Sequence, residues 1–433
     1  MPGGSKDKGR PADSFYPAVI VGLSFLALLA SMGIRGSFGA YVTPWENFFG
    51  ISRAEVSAVS FVSLFVYGLS MALAGRLTDR FGPRMVLSLS FLILGGCLVL
   101  SFFAASFWHI LLLYGLIGSV GFGFASNITV SVAIVRWFRE KKGLIISIVV
   151  LGMAAGPMIF TPLLLILIDR MGWKWTFLLI GLLYVCLLAP MYALFYRDHP
   201  EGGKMNADSQ ANGHAGREEA AAPAAGAFRK ARRTRIFRHP LTWMIVASYF
   251  ICGFTDIGFI QTHFIPLTEF RDISKLTTAN VMFVYGIFNI LGTVAVGYLV
   301  DRLNPKTLLL YLHGIRVAGL LLLYFLHAPE WLFVFAVMYA LTDIATVAPY
   351  TMLCSKIYGE KQMGTSFGTI SFFHQLGGGA GSLIPGILFV ASSSYVPTLW
   401  VCLGLVLMNL LLLLKIDEGS IICDDSTKHD YES

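Results

Sequence analysis

The sequence predicts an all-α membrane protein, twelve transmembrane helices arranged as two six-helix halves, on the strength of three observations. Apolar residues make up 56% of the 433 positions and charged residues 13%, with a mean hydropathy of +0.71. A soluble domain could not carry that composition without exposing large apolar patches. Between the charged or Pro/Gly-marked breaks lie twelve stretches that approach the roughly 20 apolar residues a spanning helix needs. Finally, GRLTDRFGPRMV at residues 75–86 returns in degraded form as GYLVDRLNPKTL at residues 297–308.

The twelve expected spans cover residues 16–41, 54–73, 84–104, 107–134, 143–168, 173–196, 241–266, 277–300, 307–326, 331–354, 364–391 and 395–414. Continuous apolar runs, without the alternation of an outer-membrane barrel, make helices the spanning form, because every backbone group must be satisfied inside its own segment. The first span lacks a small-residue cleavage pattern and reads as a retained helix. Cys97, Cys186, Cys252, Cys354 and Cys402 fall inside spans and Cys423 in the tail. They read as small core residues, with no disulfide framework.

Domain organisation follows: a short polar N-terminal segment (1–15), a first half (16–197), a polar linker (198–239), a second half (240–415) and a tail (416–433). The linker holds EEAAAPAAGA and then FRKARRTRIFRH, a flexible stretch ending in a basic patch suited to a membrane surface. The duplicated motif occupies the second-to-third helix junction of each half, which marks an internal repeat. With an even number of spans, both termini share one side. That side carries 25 of the 32 Lys and Arg residues, the opposite side 5, and Arg35 and Arg316 lie within helices. The imbalance places both termini in the cytoplasm. It also accounts for the net charge of +7 without a nucleic-acid partner; the surface it addresses is the lipid bilayer.

The first motif copy, G-x-L-x-D-R-x-G-x-R at Gly75, Leu77, Asp79, Arg80, Gly82 and Arg84, together with six plus six helices, resembles the major facilitator superfamily of secondary transporters. The second copy keeps Gly297, Asp301 and Arg302 but has Asn304 in place of the expected glycine. GMAAGP at 152–157 and GWKWTF at 172–177 are similar to the family's fifth- and sixth-helix signatures. GIRGSFGAYVTPW, GISRAEVS and SFFHQLGGGAG further look like bacterial relatives of monocarboxylate transporters and oxalate/formate exchangers. Tyr114 stands where sugar and drug transporters commonly carry a basic residue. Monocarboxylate transporters typically have an eighth-helix arginine, and this chain has Asn289 and Thr293 there.

The resemblance implies alternating access for a small organic anion with proton symport. The rivals are an anion exchanger and, from another class, a non-transporting membrane sensor. The chain is expected to work as a monomer, without cofactor or metal. It has no P-loop, HExxH, GxSxG or cysteine-based metal spacing, so an enzyme or an ATP-driven pump is not expected. The resemblance also implies that Gly75, Asp79, Arg80, Gly82 and Arg84, with Asp301 and Arg302, gate the cytoplasmic side through contacts between the halves.

A charge at mid-membrane costs roughly 2.5–3.5 kcal/mol on insertion scales, so each one present calls for a partner, a wet cavity or a function. Arg35 is the expected anion ligand, because a guanidinium can donate two parallel hydrogen bonds to a carboxylate. The alternatives are a permanent pair with an acid such as Asp256 or outward snorkelling. Asp256 and His263 share one face of the seventh helix with Phe259 between them, and either could carry the coupled proton. Arg316 and Asp343 are expected to form a structural ion pair. Phe38, Tyr41 and Phe259 are aromatic candidates for the cavity wall. Asn127, Asn289, Tyr350, His374 and Gln375 are its uncharged polar candidates. Epitope tags placed at either terminus should be accessible from the cytoplasm and not from outside in intact cells; outside labelling of either terminus contradicts the charge argument.

Overall fold

The computed structural model describes residues 11–138, 142–199, 239–325, 328–358 and 360–416. The N-terminal segment and tail lie largely outside these, as does the linker apart from its two ends. Among the described residues, eleven helices are long and apolar enough to cross a membrane. One of them, Gly143–Phe195, folds back on itself at Gly172, whose φ is 78°, so the chain makes twelve crossings.

We number these crossings α1 to α12. α1 runs Pro11–Gly36, turns at residues 37–38 and resumes over Gly39–Phe49. It therefore reaches beyond the expected limit of residue 41. α2 (Arg53–Phe81) opens on a capping box, Ser52 accepting from the Glu55 backbone while the Glu55 carboxylate takes the Ser52 N–H. α3 is Pro83–Ser101, α4 Phe107–Trp137, α5 residues 142–171 and α6 residues 173–195. The second half holds α7 (Pro240–Phe270), α8 (Lys275–Leu299), α9 (Pro305–Phe325), α10 (Pro329–Tyr358), α11 (Glu360–Ser392) and α12 (Val396–Lys415).

The 54–73 expectation ends α2 too early. Asp79 and Arg80 belong to its last turn rather than to a loop. The junction is only Gly82, at φ 84°, before Pro83 opens α3. Proline cannot continue a helix inward but suits its first turn, and a side chain at residue 82 would be strained at that φ.

Each half has its own apolar core, and lipid-facing positions such as Leu69, Trp108, Leu187, Leu291 and Leu411 stay exposed. The halves meet where α2 packs on α11, α5 on α8 and the second segment of α1 on α7. Inside the second half, α7 and α11 approach backbone to backbone. A Cβ on Gly381 would lie 2.1 Å from the Phe254 carbonyl oxygen, and one on Gly253 would lie 2.0 Å from that of His374. This is the use expected of the GGGAG run.

Several helices are interrupted, α4 at residues 125–126 among them, and three of the interruptions adjoin the polar groups described below. α7 widens to π-helix over Phe254–Ile260. α1 breaks at 37–38, and α10 unwinds over 341–346 into a turn and the short 3-10 segment Ile344–Thr346. Backbone released in this way inside a membrane protein has to find partners in protein or water. Overpacking typically costs about 1–3 kcal/mol, so Gly381→Val should lower the melting temperature of the detergent-purified protein. Gly404→Val, where nothing lies within 4 Å of the added Cβ, should leave it unchanged.

Candidate functional site

Arg35 sits one residue before the end of the first α1 segment and is 8% exposed. The turn that follows is held by the Ser37 hydroxyl, 2.6 Å from the Gly33 carbonyl oxygen and 2.7 Å from the Thr161 hydroxyl on α5. The guanidinium lies over the Tyr67 ring, 3.9 Å from its centroid, a cation–π contact. Its Nη2 donates to Gln375 Oε1 of α11 at 3.2 Å and Nη1 to Met32 Sδ at 3.4 Å, while Nε has no partner. None of its ion pairs among the described residues involves a carboxylate within 4.0 Å. The guanidinium borders a cavity between the halves, shared with Phe38, Ser60, Ser63, Gln261 and Thr262. The guanidinium thus keeps donors free at the cavity without a carboxylate partner among the described residues.

A second buried cluster lies wholly in the second half. Arg316, with no exposed side-chain surface, pairs with Asp256 at 2.8 Å. Asp256 also accepts from the hydroxyls of Tyr339 and Thr255, both at 3.2 Å, and from Cys252 Sγ at 3.2 Å. The pair expected between Arg316 and Asp343 is therefore replaced by Arg316–Asp256, and the alternative pair of Arg35 with Asp256 does not form. The break in α10 explains the exchange. It turns the Thr342 and Asp343 carbonyl oxygens toward Arg316 Nη2, at 2.5 and 3.2 Å. The Asp343 carboxylate turns instead to α8, accepting from Tyr285 Oη at 2.9 Å and Asn289 Nδ2 at 2.8 Å.

Cys252, Asp256 and His374 bring possible metal-ligand atoms within 4.8 Å of one another. Arg316 already supplies the positive charge there, so we read the trio as part of the ion-pair network.

The halves are sealed at the end opposite the chain termini. Arg53 forms a two-pronged pair with Glu46, 2.8 Å at each contact, and reaches across to Tyr395 Oη at 2.9 Å. Tyr395 Oη lies 3.3 Å from His263 Nδ1, and His263 Nε2 lies 2.7 Å from the Ser382 carbonyl oxygen. A carbonyl oxygen only accepts, so Nε2 bears the proton and Nδ1 accepts. Thr43 donates to Glu269 at 2.5 Å, and Lys275 pairs with Asp169 at 2.7 Å. Both contacts bridge the halves.

At the terminal end, the duplicated motif is tied to its own half. Asp79, with 75% of its side chain exposed, is 3.8 Å from Arg136. The Arg84 backbone N–H meets Asp198 at 2.8 Å, and its Nε the Ala193 carbonyl oxygen at 2.7 Å. A Cβ on Gly82 would strike the Asp198 carboxylate, whereas one on Gly75 would meet only Ile128 at an ordinary 3.5 Å. Arg80 lies near the Phe81 ring, Arg302 over Tyr298, and Asp301 is exposed. Among the described residues, no ion pair joins them to the other half.

Of the expected binding residues, Arg35 and Phe38 line one cavity, and Gln375 is bonded to Arg35. Asn289 borders a second cavity with Asp343. Tyr41 is locked among Trp45, Tyr114 and Phe177, and Phe259 lies in the second-half core. Tyr350 bonds Ser248 at 2.5 Å, and the His374 ring packs 4.2 Å from Tyr249. Asn127 opens a helical segment of α4 with its Oδ1 unpartnered. Sequence reasoning missed Tyr67, Ser60, Ser63, Gln261 and the sealing residues Glu46, Arg53 and Glu269. Only Arg53 carried a signal, inside the GISRAEVS stretch.

Long apolar helices in two halves with charge buried among them define a multi-pass membrane protein. A match to the Major Facilitator Superfamily spans residues 23–382, and the chain belongs to that family of multi-pass membrane transporters, which are not enzymes. Monocarboxylate transporter 12-B of Danio rerio is 22% identical over 94% of this chain and 89% of its own length. An uncharacterized MFS-type transporter of Bacillus subtilis (strain 168), YcxA, is 22% identical over 88% of this chain and 90% of its own. The inward-open xylose transporter XylE from E. coli superposes with a TM-score of 0.69 at 17% identity, covering 94% of this chain and 98% of that one. Neutralising Arg316 or Asp256 alone should destabilise the purified protein by about 3–5 kcal/mol, and Asp256→Asn with Arg316→Gln by much less. Equal losses in single and double variants would count against the pair.

Proposed function

We propose that the chain carries a small monocarboxylate-like organic anion across the membrane, with a proton in symport. The observation that supports this most strongly is Arg35, a buried guanidinium without a carboxylate partner, facing a cavity between two movable halves. A substrate carboxylate would take the free donors of Arg35, with Ser60, Ser63 and Thr262 available for its remaining lone pairs. The relatives named as monocarboxylate transporters point to the same substrate class.

With the termini in the cytoplasm, the sealed end faces outward and the state is inward-facing. Transport then requires the Arg53–Tyr395, Thr43–Glu269 and Asp169–Lys275 bridges to part. Asp79, Arg80 and Arg84 would come to face the second half as the other end closes. The halves rock about the central site, so the anion meets one side at a time.

Hydrogen bonds to a charged group contribute roughly 1.5–3 kcal/mol each, and every 1.4 kcal/mol is about tenfold in affinity. Purified protein in liposomes should take up at least one of a panel of short-chain carboxylates. Arg35→Gln should abolish that uptake, and Arg35→Lys should retain part of it at a weaker apparent affinity. Full activity in Arg35→Gln would sink the proposed role of Arg35. No carboxylate flux in the unmodified protein would favour a sensor.

A further inference from the structure

Three side chains that carry formal charge are buried between the ends of the bundle among the described residues, Arg35, Asp256 and Arg316, and a fourth, Asp343, is partly buried beside them. Arg316 and Asp256 neutralise one another. What remains is an uncompensated cation in the first half, Arg35, and an uncompensated anion in the second, Asp343. The Asp343 carboxylate is held by the neutral donors Tyr285 and Asn289, while the Arg316 guanidinium addresses its backbone oxygen instead. Asp343 also borders a cavity between the halves, walled by Met153 and Met158 of α5, Gln261 of α7, and Tyr285 and Asn289 of α8. Gln261 lines the Arg35 cavity as well, so the two chambers share a wall.

We infer that Asp343 is the binding site for the proton that accompanies the anion, an inference that rests on the transport reading above. In the empty carrier, Arg35 and Asp343 offset each other across the interface. In the loaded carrier, the anion neutralises Arg35 and the proton neutralises Asp343. Either ligand alone leaves a net charge in an interface that must close and shed water, which is costly. The two switchable states are therefore the empty and the doubly loaded one, and coupling is one-to-one and electroneutral although the ligands never touch. The chemistry is a single reversible proton transfer, from water on one side to a carboxylate oxygen and from that oxygen to water on the other.

The charged and titratable groups around Asp343 are Tyr285 from α8, Arg316 from α9, Asp256 from α7, and Tyr339 on its own helix. α5 presents methionines to it. Asp256 is committed to Arg316 and His263 to the far seal, which leaves Asp343 as the carboxylate free to exchange its proton.

Two measurements test this. In infrared difference spectra of the purified full-length protein on acidification, a carboxylic-acid carbonyl band should appear, vanish in Asp343→Asn and shift in Asp343→Glu. A band unchanged in Asp343→Asn overturns the inference, whether or not a substrate has been found. In liposomes, the unmodified protein should accumulate the transported carboxylate about tenfold per pH unit of gradient at one-to-one coupling, with no response to an imposed membrane potential. Asp343→Asn should lose pH-driven accumulation, keep exchange of preloaded substrate and become sensitive to potential, because its return step now carries the Arg35 charge alone. Retained pH-driven accumulation in Asp343→Asn also overturns the inference. Absence of flux in the unmodified protein defeats the transport reading and leaves the infrared result to decide Asp343.

Discussion

The cost of burying charge away from water governs the interior of this protein. A guanidinium or carboxylate deep in a helix bundle must be paired, solvated by dipoles or kept at a cavity that water or ligand can enter. Arg316 and Asp256 meet the requirement by pairing. Arg35 meets it with an aromatic face, an amide oxygen and a cavity, and Asp343 with a phenol and an amide beside another. The helix interruptions follow the same constraint. The broken segment of α10 supplies the carbonyl oxygens that surround Arg316, and the widened turn of α7 presents Asp256 to it.

The mechanical design separates two jobs. Each half is held internally by close backbone contact, as between α7 and α11 and between α1 and α5. Contacts between the halves combine helix packing, α2 on α11 and α5 on α8, with polar bridges near one end, of which Lys275–Asp169 is half exposed. Exposed pairs contribute little individually, so Lys275–Asp169 adds little to the hold between the halves. Arg53 is more deeply embedded, held by Glu46 and stacked on Phe389. It joins the first half to Phe389 and Tyr395 of the second.

Most of the fold was legible in the chain. Hydropathy, the repeated Asp-Arg motif and the Lys/Arg asymmetry required no knowledge of contacts, because they express how a segment meets lipid. Where boundaries failed, the reason was local: α2 continues through a polar last turn because Gly82 and Pro83 terminate it, whatever the hydropathy of Asp79 and Arg80. The site was legible in part. Arg35 and Gln375 were recognisable as polar residues in apolar runs, and they bond to one another, with Phe38 beside Arg35 at the same cavity. Phe259, Tyr350 and Tyr41 were singled out as well, and they are not among the residues lining the Arg35 cavity.

The amino-acid order alone determined the number of crossings, the two-half repeat and the small set of residues too polar for their surroundings, since each depends on composition within one segment. Only the tertiary structure decided which charge meets which. Arg316 takes Asp256 rather than Asp343 because α10 unwinds between them, and that rotation of one carboxylate from α9 toward α8 depends on three helices at once. Pairing at a distance is a property of packing, and no periodicity within a segment encodes it.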